Sequence, residues 1–417
     1  MTAITEPQPR IATLDIVRGV AVMGILAMNV VAFSMPIEAY MNPVAYGMET
    51  TGDFIAWLGG FVFIDGKMRG LFSFLFGASM LLVIQRAEAG GRSARSVHFR
   101  RMLWLAVFGL IHYYFVWYGD ILFSYAVIGM IAWLFRASEM PKLLHWAFWL
   151  LVAQLIMGGL MALSFFEMSA AAAAPGATAE VIGQWTAMKA EFAVPGAQRL
   201  AEDLTLYRGD YAGIVGDRLT NGAIFPFFGL FLFGSETLGY MLLGMAALKS
   251  GFLKGEWSRA AYARALIIGF AIGIPAYAVM AWLIVSGDYS VPLIVAVTFA
   301  ATVVFRPAMI FATAALIILA TRSGGALAER IAAAGRAAFT NYLGTSLLMT
   351  TLYYGYGLGL YGTMGRAELW LVVVAMWGVM LLWSKPWLDR YRYGPFEWLW
   401  RTLARGERQP MRRLTAT

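Results

Sequence analysis

The chain has 417 residues, 60% hydrophobic and only 13% charged, with 28 Phe, 19 Tyr and 15 Trp, which excludes an ordinary soluble domain and reads as a polytopic membrane protein. With no cysteine it excludes disulfides, thiolate catalysis and Cys-bound zinc or iron–sulfur sites, and three separated histidines (His98, His112, His145) argue against a histidine metal cluster. The net charge of +8 falls in short loops between apolar runs, where membrane topology explains it better than nucleic acid.

About 20 apolar residues per crossing predict an all-α polytopic transmembrane helical bundle of about ten spans, or eleven, with both termini cytoplasmic. The first ten residues are polar and no small-residue cleavage site follows, so the first helix is expected to stay in the mature protein. That first span covers 19–35, and the loop 36–53, with Glu38, Glu49 and Asp53 but no Lys or Arg, is external. Residues 54–85 are too many for one simple span and too few for two with a loop. We read 54–64 as a helix lying at or re-entering the outer surface and 67–84 as the second crossing. Arg86, Arg92, Arg95, Arg100 and Arg101 then fix the inner side. A third span (102–118) turns at Gly119-Asp120 into a fourth (121–135), and a fifth covers 143–165. The acidic stretch 167–221 reads as external short amphipathic helices. Spans at 223–248, 265–285, 291–320, 339–355 and 369–384 complete the count, the eighth kinked at Arg306-Pro307. A basic tail follows. The chain thus divides into an N-terminal transmembrane half (1–165), an external segment (166–221), a C-terminal transmembrane half (222–405) and a basic cytoplasmic tail (406–417).

Asp15, Arg18, Val22, Ile25 and Asn29 are spaced to share one stripe of the first helix. Asn29 lies eleven residues past Arg18 and His112 eleven past Arg101, so each sits about 16 Å from its inner-surface arginine, near the midplane. Asn29 reads either as an amide packing one helix on another or as a group facing a cavity. His112 reads as a packing histidine or a general base. Asp120 is an ordinary turn residue or an external substrate contact. Lys67 and Arg69, near the outer face, break the positive-inside pattern, as a snorkelling pair or an anion site. Arg306 beside Pro307 suggests a broken helix facing a cavity. Gly357, Gly359 and Gly362 match a dinucleotide fingerprint without the strand that motif needs. The segment 394–401 interleaves aromatic and charged residues and reads as an interfacial anchor.

Leu14-Asp-x-x-Arg-Gly19 with Asn29, Lys67-x-Arg-x-Leu-Phe-Ser-Phe-Leu-Phe-Gly77, Gly109-Leu-Ile-His112, Trp117-x-Gly-Asp-Ile-Leu122, Gly335-Arg-x-x-x-Thr-Asn-Tyr342 and Gly394-Pro-x-Glu-Trp-Leu-Trp-Arg401 resemble the YeiB-type bacterial membrane proteins over almost the whole chain. The opening also looks like that of transmembrane acyltransferases that include heparan-α-glucosaminide N-acetyltransferase. This second resemblance implies acyl transfer, with acetyl as one candidate group, from cytosolic acyl-CoA as donor substrate to an extracytoplasmic acceptor such as a sugar. It implies Asn29 in catalysis. The external histidine of that relative has no counterpart in 36–53, so His112 takes its place as the catalytic candidate. Binding candidates are Asp15, Arg18, Lys67, Arg69, Asp120, Arg306 and Asn341, with no metal. The expected setting is multi-pass in the bacterial inner membrane, bound by the lipid bilayer, with the oligomeric state open, a homodimer included. A small-molecule transporter or flippase with a midplane polar site, and a non-catalytic membrane scaffold, are the alternatives.

Overall fold

The opening apolar stretch folds as one helix, α1 (Ala12–Ser34), in a computed structural model that describes residues 11–413. It begins about two turns before the predicted span, because Asp15 and Arg18 are already helical and pair at 2.9 Å. α2 (Ile37–Met41) leads to α3 (Thr51–Phe63), which Thr50 and Asp53 open with a reciprocal capping box. α4 (Lys67–Ala89) follows as a separate helix, then α5 (Ala94–Phe115), α6 (Leu122–Ala132) and α7 (Met140–Ala173). The external stretch forms α8 (Ala179–Lys189), α9 (Ala197–Tyr207) and α10 (Tyr211–Thr220). Next come α11 (Phe225–Lys249), α12 (Arg259–Ser286), α13 (Val291–Ala296) and α14 (Thr302–Thr321). α15 (Ala326–Arg336), α16 (Ala338–Tyr353), α17 (Arg366–Arg390) and α18 (Pro395–Arg405) finish the chain. Among the described residues the only β pairing is an isolated bridge between Tyr391 and Arg412. Of the predicted segments, 1–10 and 414–417 lie outside the described residues.

Among the described residues, seven stretches are long and apolar enough to cross a membrane: α1, α3 with α4, α7, α11, α12, α13 with α14, and α17. The other three predicted spans are helices of a different kind. α5 carries Arg95, Arg100 and Arg101 in its first turns, while α6 has 11 residues and α16 has 16. At ~1.5 Å per residue the last two measure about 17 and 24 Å, short of a ~30 Å hydrocarbon core. The α5–α6 turn at Gly119-Asp120 is covered at that end, where Tyr211 on α10 donates to the Phe115 carbonyl, and the Asp120 side chain is only 2% exposed.

Burial sorts the helices into layers. The most apolar window of α1 is 78% buried, whereas those of α7, α17 and α12 are 22%, 28% and 33% buried and turn their apolar faces outward. Apolar contact gives little net drive between helices in lipid, so close packing by small residues matters more. A Cβ on Gly19 would stand 2.1 Å from the Ile331 carbonyl oxygen, and one on Gly335 would stand 1.9 Å from that of Asp15. These two glycines let α1 and α15 cross backbone to backbone, a packing role for the last residue of the Leu-Asp-x-x-Arg-Gly opening.

Three expectations change. The eighth crossing departs from α geometry not at Arg306-Pro307 but upstream, in a π-helical turn (Val297–Ala301), and Pro307 sits within α14. Proline has no N–H to give and its ring crowds the preceding turn; the wider turn before it lets the helix continue. The boundary drawn at 166 falls inside α7, which continues to Ala173. The segment 394–401 does not simply lie at an interface: α18 docks on α5, with Trp400 Nε1 donating to the Arg101 carbonyl at 3.0 Å. At the opposite end α8–α10 pack over the bundle through Arg199 to Glu38 (2.5 Å), Asn42 to the Phe192 carbonyl (3.0 Å) and the Gly355 N–H to the Tyr207 carbonyl (2.9 Å).

Candidate functional site

His112 is buried in the last turn of α5, and its Nδ1 lies 2.8 Å from Asp120 Oδ2. A carboxylate only accepts, so Nδ1–H donates and Nε2 is left as the acceptor nitrogen. Nε2 is buried and has no hydrogen-bond partner among the described residues. Asp120 is itself held, because its Oδ1 accepts the Phe123 N–H at 2.9 Å and anchors the start of α6. The pairing needs α5 and α6 close together, and Gly109 allows it: a Cβ there would meet the Phe123 nitrogen at 2.3 Å and Asp120 Oδ1 at 2.9 Å.

Two cavities meet at one tyrosine. The larger, about 400 Å³, opens at the basic end, where Arg18, Arg86, Arg101, Arg336, Arg392 and Arg401 line it against only two acids, Asp15 and Glu397. Its deeper wall is apolar and aromatic, with Phe72, Phe76, Leu105, Ile121, Tyr125 and Tyr342. The smaller, about 10 Å³ and room for one water, is lined by Asn29, Phe33, Trp117, Tyr342, Thr345 and Ser346. Tyr342 therefore borders both, and its ring centre lies 5.3 Å from that of His112. Asn29 and His112 do not touch, yet both adjoin Trp117 and Tyr342. Trp117 Nε1 and Thr345 Oγ1 are further buried polar atoms without partners in this region.

At the basic end, Asp15 pairs with Arg18, whose Nη2 also donates to Ser79 Oγ at 2.7 Å. Glu397, on α18, accepts the Phe339 and Thr340 N–H groups at 2.7 and 3.0 Å and caps α16. Burial pushes its carboxyl above the usual range, against those bonds. The wall of the larger cavity and the start of α16 are thus tied to one side chain.

The remaining candidates gather elsewhere. Arg69 meets Glu236 Oε2 at 2.6 Å and Arg306 Nη1 meets Glu236 Oε1, while Arg306 Nη2 donates to Thr302 Oγ1 at 2.6 Å. Tyr240 adds a hydroxyl to Oε1 at 2.8 Å. Lys67 donates to the Phe61 carbonyl and sits 3.3 Å from the centre of the Tyr277 ring. This cluster lines neither cavity. Asn341 spends its amide on the Ala334 carbonyl, Ser384 Oγ and Trp383 Nε1, a helix-joining role. Sequence reasoning passed over Tyr342, the neighbour of Asn341 turned about 100° around the helix from it, and Glu236, a carboxylate inside an apolar run.

Over nearly their full lengths, this chain and the uncharacterized protein YxaH of Bacillus subtilis (strain 168) are 32% identical, with 99% of this chain and 98% of that one covered. The uncharacterized protein YeiB of Escherichia coli (strain K12) is 33% identical, with 94% and 96% covered. The chain belongs to the YeiB-like family. A family profile described as "Protein of unknown function (DUF418)" matches residues 247–407, which hold α15 to α18 and so one wall of the larger cavity. A 39.9 kDa protein encoded beside amylase in Bacillus acidopullulyticus is 24% identical over 96% of both chains. No solved structure matches this YeiB-like chain.

Proposed function

We propose that this YeiB-like membrane protein is an acyltransferase that takes an acyl group from acyl-CoA at its basic end and passes it to an acceptor at the opposite end. One observation carries the reading. A cavity with an arginine-rich mouth and an apolar depth ends on Tyr342, in ring contact with a His–Asp pair whose second nitrogen is unused. Arginine is suited to the phosphates of a nucleotide, and an apolar aromatic wall to a pantetheine arm. Positive-inside orientation favours a cytoplasmic basic end, and the bacterial relatives support the inner membrane.

In this mechanism Asp120 fixes the imidazole so that His112 Nε2 accepts the proton of an acceptor hydroxyl or amine as it attacks the thioester carbonyl. The C–S bond breaks as the new C–O or C–N bond forms, and the proton on Nε2 passes to the departing thiolate. Asn29, on the far side of Tyr342, supplies an amide N–H to the carbonyl oxygen as charge builds on it. Asp15 and Arg18 shape the mouth, and Lys67, Arg69, Arg306 and Asn341 hold the helices around it.

The test is acetyl-CoA turnover by purified protein. Release of free CoA that disappears in His112→Ala is the expected result. Absence of both acyl-CoA binding and turnover, with uptake of an unaltered solute into proteoliposomes, would reject it in favour of a carrier that alternates across Tyr342.

A further inference from the structure

At the end opposite the arginine-rich mouth, α10 carries a cation that the fold leaves without a counter-charge. Arg218 is 3% exposed, and none of its three guanidinium nitrogens makes a hydrogen bond among the described residues. The neighbouring carboxylate, Asp217, is turned to Asn221 at 2.7 Å. Burying a guanidinium with all five N–H donors unmet is among the costliest arrangements a protein can hold. Its place near the C-terminus of α10 and the Tyr354 ring, centred 5.9 Å away, offset part of that cost but satisfy no donor.

The surroundings repeat the pattern. Tyr353 and Tyr354 are fully buried; among the described residues the Tyr353 hydroxyl has no partner, and the Tyr354 hydroxyl approaches only the Arg218 guanidinium, without the geometry of a hydrogen bond. From Tyr354 a run of ring contacts leads inward through Tyr207 (5.0 Å), Tyr118 (6.3 Å) and Trp117 (5.7 Å) to His112 (6.3 Å). Unsatisfied donors at Arg218, Tyr354, Trp117 and the free nitrogen of His112 thus lie along one aromatic path, a pattern that a polar ligand would complete.

We infer that Arg218, with Tyr353 and Tyr354, is the recognition site for an anionic group of the acceptor, a carboxylate or phosphate held by the guanidinium fork and the phenol hydroxyls. A planar fork binds such a group through two parallel hydrogen bonds, and the phenols donate to its remaining oxygens. Naming the occupant an acceptor rests on the acyl-transfer reading; the anion site itself does not.

Thermal unfolding of the full chain in neutral detergent tests the site, with inorganic phosphate as probe, beside the protein in vesicles of phosphatidylcholine or phosphatidylglycerol. Wild type is expected to be stabilised saturably by phosphate, Arg218→Gln to lose the response, and Arg218→Lys to need about tenfold more phosphate because an ammonium makes a point contact. Should Arg218→Gln fail to fold, Tyr353→Phe with Tyr354→Phe serves instead and is expected to weaken the response. Stabilisation by phosphatidylglycerol but not by phosphate assigns the anion to a lipid headgroup, and the reverse to a soluble acceptor. A wild type that responds to neither probe, with Arg218→Gln more stable than it, overturns the site. Acetyl-CoA hydrolysis without acceptor should be equal in wild type and Arg218→Gln. If wild type has none while its phosphate response still depends on Arg218, acyl transfer falls and the anion site stands.

Discussion

Two buried polar groups in this bundle are built to opposite plans. Around Glu236, both carboxylate oxygens are used, by Arg69, Arg306 and Tyr240, and neither cavity reaches the cluster. Around His112, one nitrogen is fixed by Asp120 and the other is free, beside a tyrosine that borders two cavities. With both Glu236 oxygens used, the first group is a clasp joining α4, α11 and α14: Arg306 Nε is left without a partner, but the charge it belongs to is already paired. His112 itself lines neither cavity, but its unused nitrogen is one ring contact away from both through Tyr342, and that is what sets the second group apart. Three of the charged candidates picked from sequence, Lys67, Arg69 and Arg306, fall on the clasp side of that division.

The largest expected effect breaks the comparison at its reactive member. If the proposed role of His112 as general base holds, His112→Ala should lower acetyl-CoA turnover by about 10²–10⁴-fold while the unfolding temperature stays near wild type. Asp120→Asn should follow it in direction, because an amide cannot hold the same imidazole tautomer. If either variant unfolds without first losing activity, His112 belongs with the clasp.

Glu236→Ala is the converse experiment. It leaves two guanidinium groups in the bilayer interior without a counter-charge, a change that costs about 3–5 kcal/mol for a buried pair. The expected outcome is a large fall in the melting temperature, read in detergent by size exclusion and fluorescence, with acetyl-CoA KM unchanged in whatever folded protein is recovered. A stable Glu236→Ala protein that is inactive would move the clasp into the reaction.

A smaller effect is expected at the mouth of the large cavity. Arg86 lines it from the exposed last turn of α4, so under the proposed reading Arg86→Gln removes one cation of the phosphate-binding mouth, its effect tempered by solvent. KM for acetyl-CoA should rise about three- to tenfold with kcat unchanged, and raised salt should narrow the gap between the two proteins. An unchanged KM at low salt would detach the arginine cluster from the donor.

How far this division was legible in the sequence follows from what each signal measures. Long apolar runs gave the helices their order, because the bilayer demands length and apolarity together. α15 escaped because it is short, half-polar and alanine-rich, and its docking on α1 depends on Gly19 and Gly335 meeting across 316 positions of chain. Asn29 and His112 stood out as polar residues in apolar surroundings. Asp120 read as a surface turn because nothing local reveals that its side chain folds inward onto His112. Glu236 carried a signal that was overlooked, a carboxylate within a span. Arg218 carried none: an arginine in a polar stretch is ordinary until α10 folds it away from water.

Asp203 sharpens the comparison from outside the bundle. It is a carboxyl with a single partner, the Tyr361 hydroxyl at 2.8 Å, but it lines neither cavity, so half-satisfied burial should there affect stability and not chemistry. Burial pushes its pKa up to about 6, against the Tyr361 bond. A raised carboxyl pKa means that the folded state holds a proton which the unfolded chain, near ~3.9, has already released. Between those values the native state binds more protons, so stability falls as pH rises through the window and the whole loss is present above about 6. The melting temperature of wild type should therefore be a few degrees higher near pH 5 than near pH 8, after allowance for other titrating groups by comparison with Asp203→Asn. That variant keeps a hydrogen-bonding side chain without the charge, so it should be flatter across the window and the more stable of the two at pH 8, with acetyl-CoA turnover unaltered. Equal pH slopes in the two proteins would mean that water reaches Asp203 beneath α9, and lost turnover would mean that a free valence in this fold marks function even away from the cavities.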